Sequence, residues 1–175
     1  TLSGSSAASD VYKRQIGRLV RSDRHYAKVL SIDMTDVESI PGVLATATGI
    51  DAPSAFGVLP VTKDEHAMAL EKVRHIGDIV ACVAAEDEET ARLAAAAVRI
   101  EYQDLEPIFD MRDGLKDSPD PIHDRGRYHI GESNVQKRVF QRFGRISDLK
   151  NSIASYENEW TFKGVNHGFT EPHAV

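Results

Sequence analysis

The chain has 175 residues, 27 acidic against 21 basic side chains and a formal charge of −6, a length that suits one ordinary domain or a small domain with part of a second. Its 41% hydrophobic and 27% charged residues are those of a globular protein, no apolar run reaches the roughly 18–20 residues of a membrane helix, and the acidic balance argues against a general nucleic-acid binder. A single cysteine, Cys82, excludes an internal disulfide framework and an all-cysteine metal site built from this chain alone, and makes a reducing cytoplasm the expected compartment.

The opening residues 1–9 are small and polar. They lack the basic start and apolar run of a secretory signal and cannot bury enough apolar surface to order themselves. Residues 6–15 (SAASDVYKRQ) also resemble translated sequencing-adapter read-through. Residues 1–15 are therefore expected to be a disordered leader foreign to the natural protein.

Residues 16–22 and 25–33 are rich in Val, Ile and Leu and joined by the polar turn Ser22-Asp-Arg24, which predicts two strands. Residues 35–40 fit a short helix capped by Thr35 or Asp33 and stopped by Pro41-Gly42. Residues 43–48 are β-branched enough for a third strand. Residues 51–70 carry Pro53 and Pro60 and no steady period, so they form a loop excursion of the length usually reserved for function or partner binding.

The run Ile79-Val-Ala-Cys-Val-Ala84 is unbroken apolar, as in a strand covered on both faces. Asp87 then caps a helix with Glu88 and Glu89 in its first turn, where the helix dipole favours anions. Ala91, Ala94, Ala95 and Val98 follow the i, i+3, i+4, i+7 spacing of its buried face. Val98, Ile100 and Tyr102 alternate with Arg99, Glu101 and Gln103, a half-buried strand. Strand, helix and strand in so little chain predict a β-α-β unit with a right-handed crossover. After Leu105-Glu-Pro107, residues 113–133 have the turn-rich composition of a linker. Residues 137–143 and 156–162 read as strands flanking a weak helix at 147–153, and residues 171–175 stop in a strand-like run without turn chemistry, as in a fragment.

The sequence holds no glycine-rich phosphate loop, no G-x-S-x-G elbow, no H-E-x-x-H and no paired C-x-x-C. His25, His66 and His75 read as solvated turn or loop residues, and His123, after Asp120-Pro-Ile122, as a residue that holds the linker by hydrogen bonding. Glu171 and His173 share one strand face at i, i+2, a spacing open to a metal, although pairing within a larger sheet explains it as simply. Cys82 reads as a small hydrophobe rather than a nucleophile. From the residues alone this is an α+β or α/β domain with no catalytic constellation.

Four motifs in order carry a family resemblance: Ser22-Asp-Arg-His-Tyr-Ala-Lys-Val-Leu-Ser-Ile-Asp33, Pro41-Gly-Val43, Val73-Arg-His-Ile-Gly-Asp-Ile-Val-Ala-Cys-Val-Ala-Ala-Glu86 and Ile100-Glu-Tyr-Gln-Asp-Leu-Glu-Pro107. Together they resemble the a/b hammerhead domain that opens the molybdenum-binding large subunit of the xanthine dehydrogenase and aldehyde oxidase family. Phe56-Gly-Val-Leu-Pro60, Asp64-Glu65 and Thr161-Phe-Lys-Gly-Val-Asn-His167 resemble most the large subunit of 4-hydroxybenzoyl-CoA reductase. The resemblance implies an α+β hammerhead fold, a mixed sheet with a β-α-β unit, over residues 16–119. A linker with short elements follows at 120–155, and the first strand of a truncated molybdopterin-binding domain at 156–175.

It further implies a subunit holding molybdopterin cytosine dinucleotide, with partner subunits carrying FAD and [2Fe-2S] clusters, and the remainder of its own large subunit as a partner. The implied reaction is reductive removal of the 4-hydroxyl of an aromatic CoA thioester, in anaerobic aromatic degradation. Hydroxylation of aldehydes, xanthine or N-heterocycles with water as oxygen donor is the alternative, and a stand-alone hammerhead binding module a third reading. Val165 stands where many hydroxylases of the family place a glutamine near the metal, and valine cannot donate that hydrogen bond. Val165, Asn166 and His167 are thereby candidates for the edge of the pocket. No catalytic residue and no metal ligand is assigned within the chain, whose own role is expected to be structural, with residues 51–70 walling part of a substrate funnel.

Overall fold

A computed structural model describes residues 14–57, 63–124, 131–151, 153–165 and 168. The strands are β1 (Ile16–Arg21), β2 (Ala27–Asp33), β3 (Val43–Thr48), β4 (Lys72–Val73), β5 (Ile79–Ala85) and β6 (Arg99–Asp104). The helices are α1 (Thr35–Glu38) and α2 (Glu88–Ala97), with 3-10 turns at Asp113–Leu115 and Ile146–Asn151. The chain divides into two units between Arg138 and Val139.

All six strands belong to the first unit, in two three-stranded sheets ordered β1-β5-β3 and β4-β2-β6. Every pairing among them is antiparallel. β5 is the centre of the first sheet, with Cys82 set between Leu19 and Ala47. Successive side chains of a strand face opposite ways, and β5 uses both faces. Val83 joins Val37 and Ala94 beneath the helices, while Val80 joins Ala27, Ala69 and Val73 beneath the second sheet. Two cores on one strand account for its unbroken apolar run.

The Asp87 carboxylate accepts the Thr90 amide hydrogen at 2.8 Å, so the predicted cap holds, and Ala91 and Ala94 are the buried face of α2. Alanines there let the helix lie close to β1 and β5. Gly42, at φ +89°, makes the turn after α1, a left-handed conformation that glycine adopts at little cost. Gly49 is needed for space: a Cβ there would stand 2.8 Å from the Ala69 carbonyl oxygen and 2.9 Å from that of Met68.

The fold is α+β, as expected, but two details differ from the expectation. β5 and β6 lie in different sheets, so β5-α2-β6 is no in-sheet crossover and no parallel pair of the expected mixed sheet exists among the described residues. After α2 the chain steps across to pair β6 with β2, Ile32 opposite Ile100 and Asp33 opposite Arg99. The half-polar alternation of β6 suits that sheet, which has one open face.

In the second unit, contrary to the expectation, residues 139–143 and 156–162 form no strand and residues 146–151 form a 3-10 turn rather than an α-helix. Residues 137–138, in the first unit, are likewise outside any strand. Alternation alone does not make a strand, because the backbone needs a ladder partner. Phe140, Phe143, Tyr156 and Phe162 are all exposed, and Trp160 is 72% exposed.

Candidate functional site

A connected set of buried and half-buried polar groups lies where residues 63–78 meet residues 118–124. Asp64, in the 51–70 loop, is only 5% exposed. Its Oδ2 accepts from the Arg74 guanidinium at 2.9 Å and from the Asp124 backbone N–H at 2.8 Å. His123 Nδ1 lies 3.1 and 3.3 Å from the two carboxylate oxygens. Burial pushes the Asp64 carboxyl up, but the Asp124 amide, His123 and Arg74 together outweigh it and hold the group below its ordinary value.

Arg74 is placed by the end of β4, and its Nε donates to the Ile122 carbonyl at 2.9 Å. Its backbone N–H donates to Asp78, which locks the tight turn before β5. From the other side of residues 118–124, Lys72 Nζ donates to the Pro121 carbonyl at 2.6 Å. The buried Tyr26 hydroxyl lies 2.8 Å from the same carbonyl and 3.1 Å from that of Asp120. Burial first, and the nearby Asp120 second, push its phenol up to about 12. Asn134 Oδ1 accepts the Ile122 N–H at 2.8 Å.

Beside this cluster is an open groove of about 290 Å³ lined by Phe56, Glu65, His66, Arg74, His75 and His123, among others. Three imidazoles therefore border one space, yet no three His, Cys, Asp or Glu side chains converge as metal ligands among the described residues. The arrangement can hold a main chain in place; it offers no nucleophile with a base.

The predicted residues fall as follows. His123 does hold the linker, through Asp64. His25 packs edge-on against Phe109, with ring centroids 4.9 Å apart. Cys82 is half-buried in β5 and has no disulfide partner. Phe56 is exposed, bridged to Glu65 across the 51–70 loop. Val165 is 91% exposed in the second unit, while Asn166, His167, Glu171 and His173 lie outside the described residues. Tyr26, Asp64 and Arg74 are not legible as a cluster, since Tyr26 precedes the other two by 38 and 48 positions and Asp64, ten positions before Arg74, lies in a loop. The only local signal is a charged pair, Lys72 and Arg74, flanking the buried Val73.

A family model for the "aldehyde oxidase and xanthine dehydrogenase, a/b hammerhead domain" matches residues 8–106. The chain is 30% identical over 88% of its length to the nicotinate dehydrogenase large molybdopterin subunit of Eubacterium barkeri, of which it spans 35%. It is 38% identical over 90% of its length to xanthine dehydrogenase/oxidase of Felis catus, of which it spans 11%. Among solved structures, reconstituted CO dehydrogenase from Oligotropha carboxidovorans is similar over 61% of this chain and 13% of its own, at 27% identity and TM-score 0.52. The described residues do not fit a site for a molybdenum–pterin group, having neither converging ligands nor a glycine-rich loop, and none is assigned to hold it.

Proposed function

This chain belongs to the aldehyde oxidase and xanthine dehydrogenase family through its a/b hammerhead domain, and from that membership we propose that it is part of the large subunit of a molybdenum-dependent oxidoreductase. The carrying observation is that similarity to a large molybdopterin subunit extends over 157 residues, well beyond the hammerhead itself. The role proposed for these residues is architectural: two antiparallel sheets, with 51–70 bordering the substrate funnel, and Val165, Asn166 and His167 at the edge of the pocket. Residues 16–119 are the hammerhead, 120–155 the connection, and 156–175 the start of the molybdopterin-binding domain.

The reaction best supported by the relatives is hydroxylation of an N-heterocycle or aldehyde, with water as oxygen source. The molybdopterin is proposed in its cytosine dinucleotide form. FAD and [2Fe-2S] clusters are proposed on partner subunits, and the complex is proposed to work in the cytoplasm. A second reading, reductive dehydroxylation of 4-hydroxybenzoyl-CoA, is favoured by Val165, which cannot donate the hydrogen bond that a glutamine would supply there.

The test is expression of the gene containing this segment with its neighbours, followed by metal analysis and two assays of the purified complex. Molybdenum with dye-linked oxidation of nicotinate, xanthine or an aldehyde supports hydroxylation. Molybdenum with consumption of 4-hydroxybenzoyl-CoA under a low-potential donor supports the reductase. A complex that never contains molybdenum overturns both.

A further inference from the structure

Residues 118–124 are part of the first unit and lie against the rest of it as a ligand lies on a receptor. Three consecutive carbonyls, of Asp120, Pro121 and Ile122, accept hydrogen bonds from Tyr26, Lys72 and Arg74. The N–H groups of Ile122 and Asp124 donate to Asn134 and Asp64. Pro119 and Pro121 have no N–H to satisfy. Each residue before a proline is biased to extended backbone, so the segment loses little freedom on seating. Residues 120–124 are seated mainly through main-chain atoms; their side-chain contacts are His123 with Asp64 and Asp120 with Lys28, the latter at 3.6 Å. Two receptor groups, Asp64 and Tyr26, are more than nine-tenths buried.

We propose that Tyr26, Asp64, Lys72 and Arg74 form a main-chain recognition site for an extended, proline-containing peptide, occupied in this chain by its own residues 120–124. The proposal does not depend on the oxidoreductase reading. It resembles other main-chain recognition modes in which carbonyls and amides give affinity and side chains give only preference. Tethering supplies a local concentration in the millimolar range, so the site is filled in the intact chain and a free peptide competes poorly.

The test uses the full chain with residues 120–124 replaced by glycine and serine, and a synthetic peptide spanning Ser118 to Asp124. Binding is read by amide chemical shifts, and retention of the fold by hydrogen-exchange protection of β5. The expected result is saturable binding to the replaced chain, at least tenfold weaker binding to the unaltered chain, and at least a tenfold loss when the replaced chain also carries Asp64→Asn. Three results would overturn it: no binding by a replaced chain whose β5 remains protected, binding insensitive to Asp64→Asn, or loss of β5 protection on replacement. The last would make residues 120–124 part of the core rather than a ligand on it.

Discussion

Arg74 reaches Asp64 across ten positions of sequence, 2.9 Å from guanidinium to carboxylate, with the two side chains 17% and 5% exposed. Removing Arg74 takes the guanidinium from a buried carboxylate and leaves it only the Asp124 amide and His123, which costs far more than losing a surface pair. Arg74→Ala is expected to destabilise the first unit by about 3 kcal/mol, read as a lower urea midpoint. Arg74→Lys recovers only part of this, because one ammonium cannot donate along both the Nε and Nη directions. A midpoint unchanged in Arg74→Ala would show the pair to be dispensable.

The Asp64 carboxyl is held below its ordinary value in the folded state. A depressed carboxyl contributes stability that is present above the unfolded pKa and lost as pH falls toward the folded one. Stability is therefore expected to decline below about pH 4, and the decline to be shallower in Asp64→Asn, which no longer titrates. Urea titrations at steps from pH 7 to pH 2.5 measure both slopes; equal slopes would remove Asp64 from the acid response.

Tyr26 predicts the opposite side of the pH range. Its phenol is raised to about 12, so its contribution is complete below the ordinary value near 10 and is lost as pH rises through the folded one. Burial raises the Tyr102 phenol as well, so ultraviolet titration should show a late phase to which Tyr26 contributes. The Tyr26 part of that phase should be lost in Tyr26→Phe, and an undiminished amplitude would assign the phase to other residues.

Gly49 tests packing without charge. A methyl group there meets two backbone carbonyls rather than a movable side chain. Gly49→Ala should cost about 1–3 kcal/mol, whereas Gly17→Ala, whose Cβ would meet nothing within 4 Å, should melt close to the unaltered chain. Calorimetry of both variants compares them directly.

The Asp87 cap is exposed, and its carboxyl is lowered chiefly by the Thr90 amide. Asp87→Ala should lower the melting temperature and reduce helical circular dichroism, while Asp87→Ser retains most of both because serine also accepts from the helix N-terminus. Identical melting of all three chains would show that α2 is held by its alanine face alone.

The local elements whose signals lie within one turn or one strand are readable in the amino-acid order. Asp87 with Glu88 and Glu89 marked the start of α2, the apolar run marked β5, and residues 43–48 matched β3 to the residue. The order of the four motifs determined the family, because several spaced matches constrain one another. Even the tie through His123 was readable, from its position after Asp120-Pro-Ile122. Which strands share a sheet is fixed by long-range pairing. A strand's alternation specifies a face to bury but names no neighbour, so β5 and β6 looked like one crossover unit and proved to belong to separate sheets. The same limit explains residues 156–162, where Tyr156, Trp160 and Phe162 alternate as in a strand and yet form none among the described residues. It explains the candidate site too: nothing local distinguishes the buried Asp64 from a solvated loop carboxylate, because its burial is created by Arg74, His123 and Asp124, brought to it by the fold.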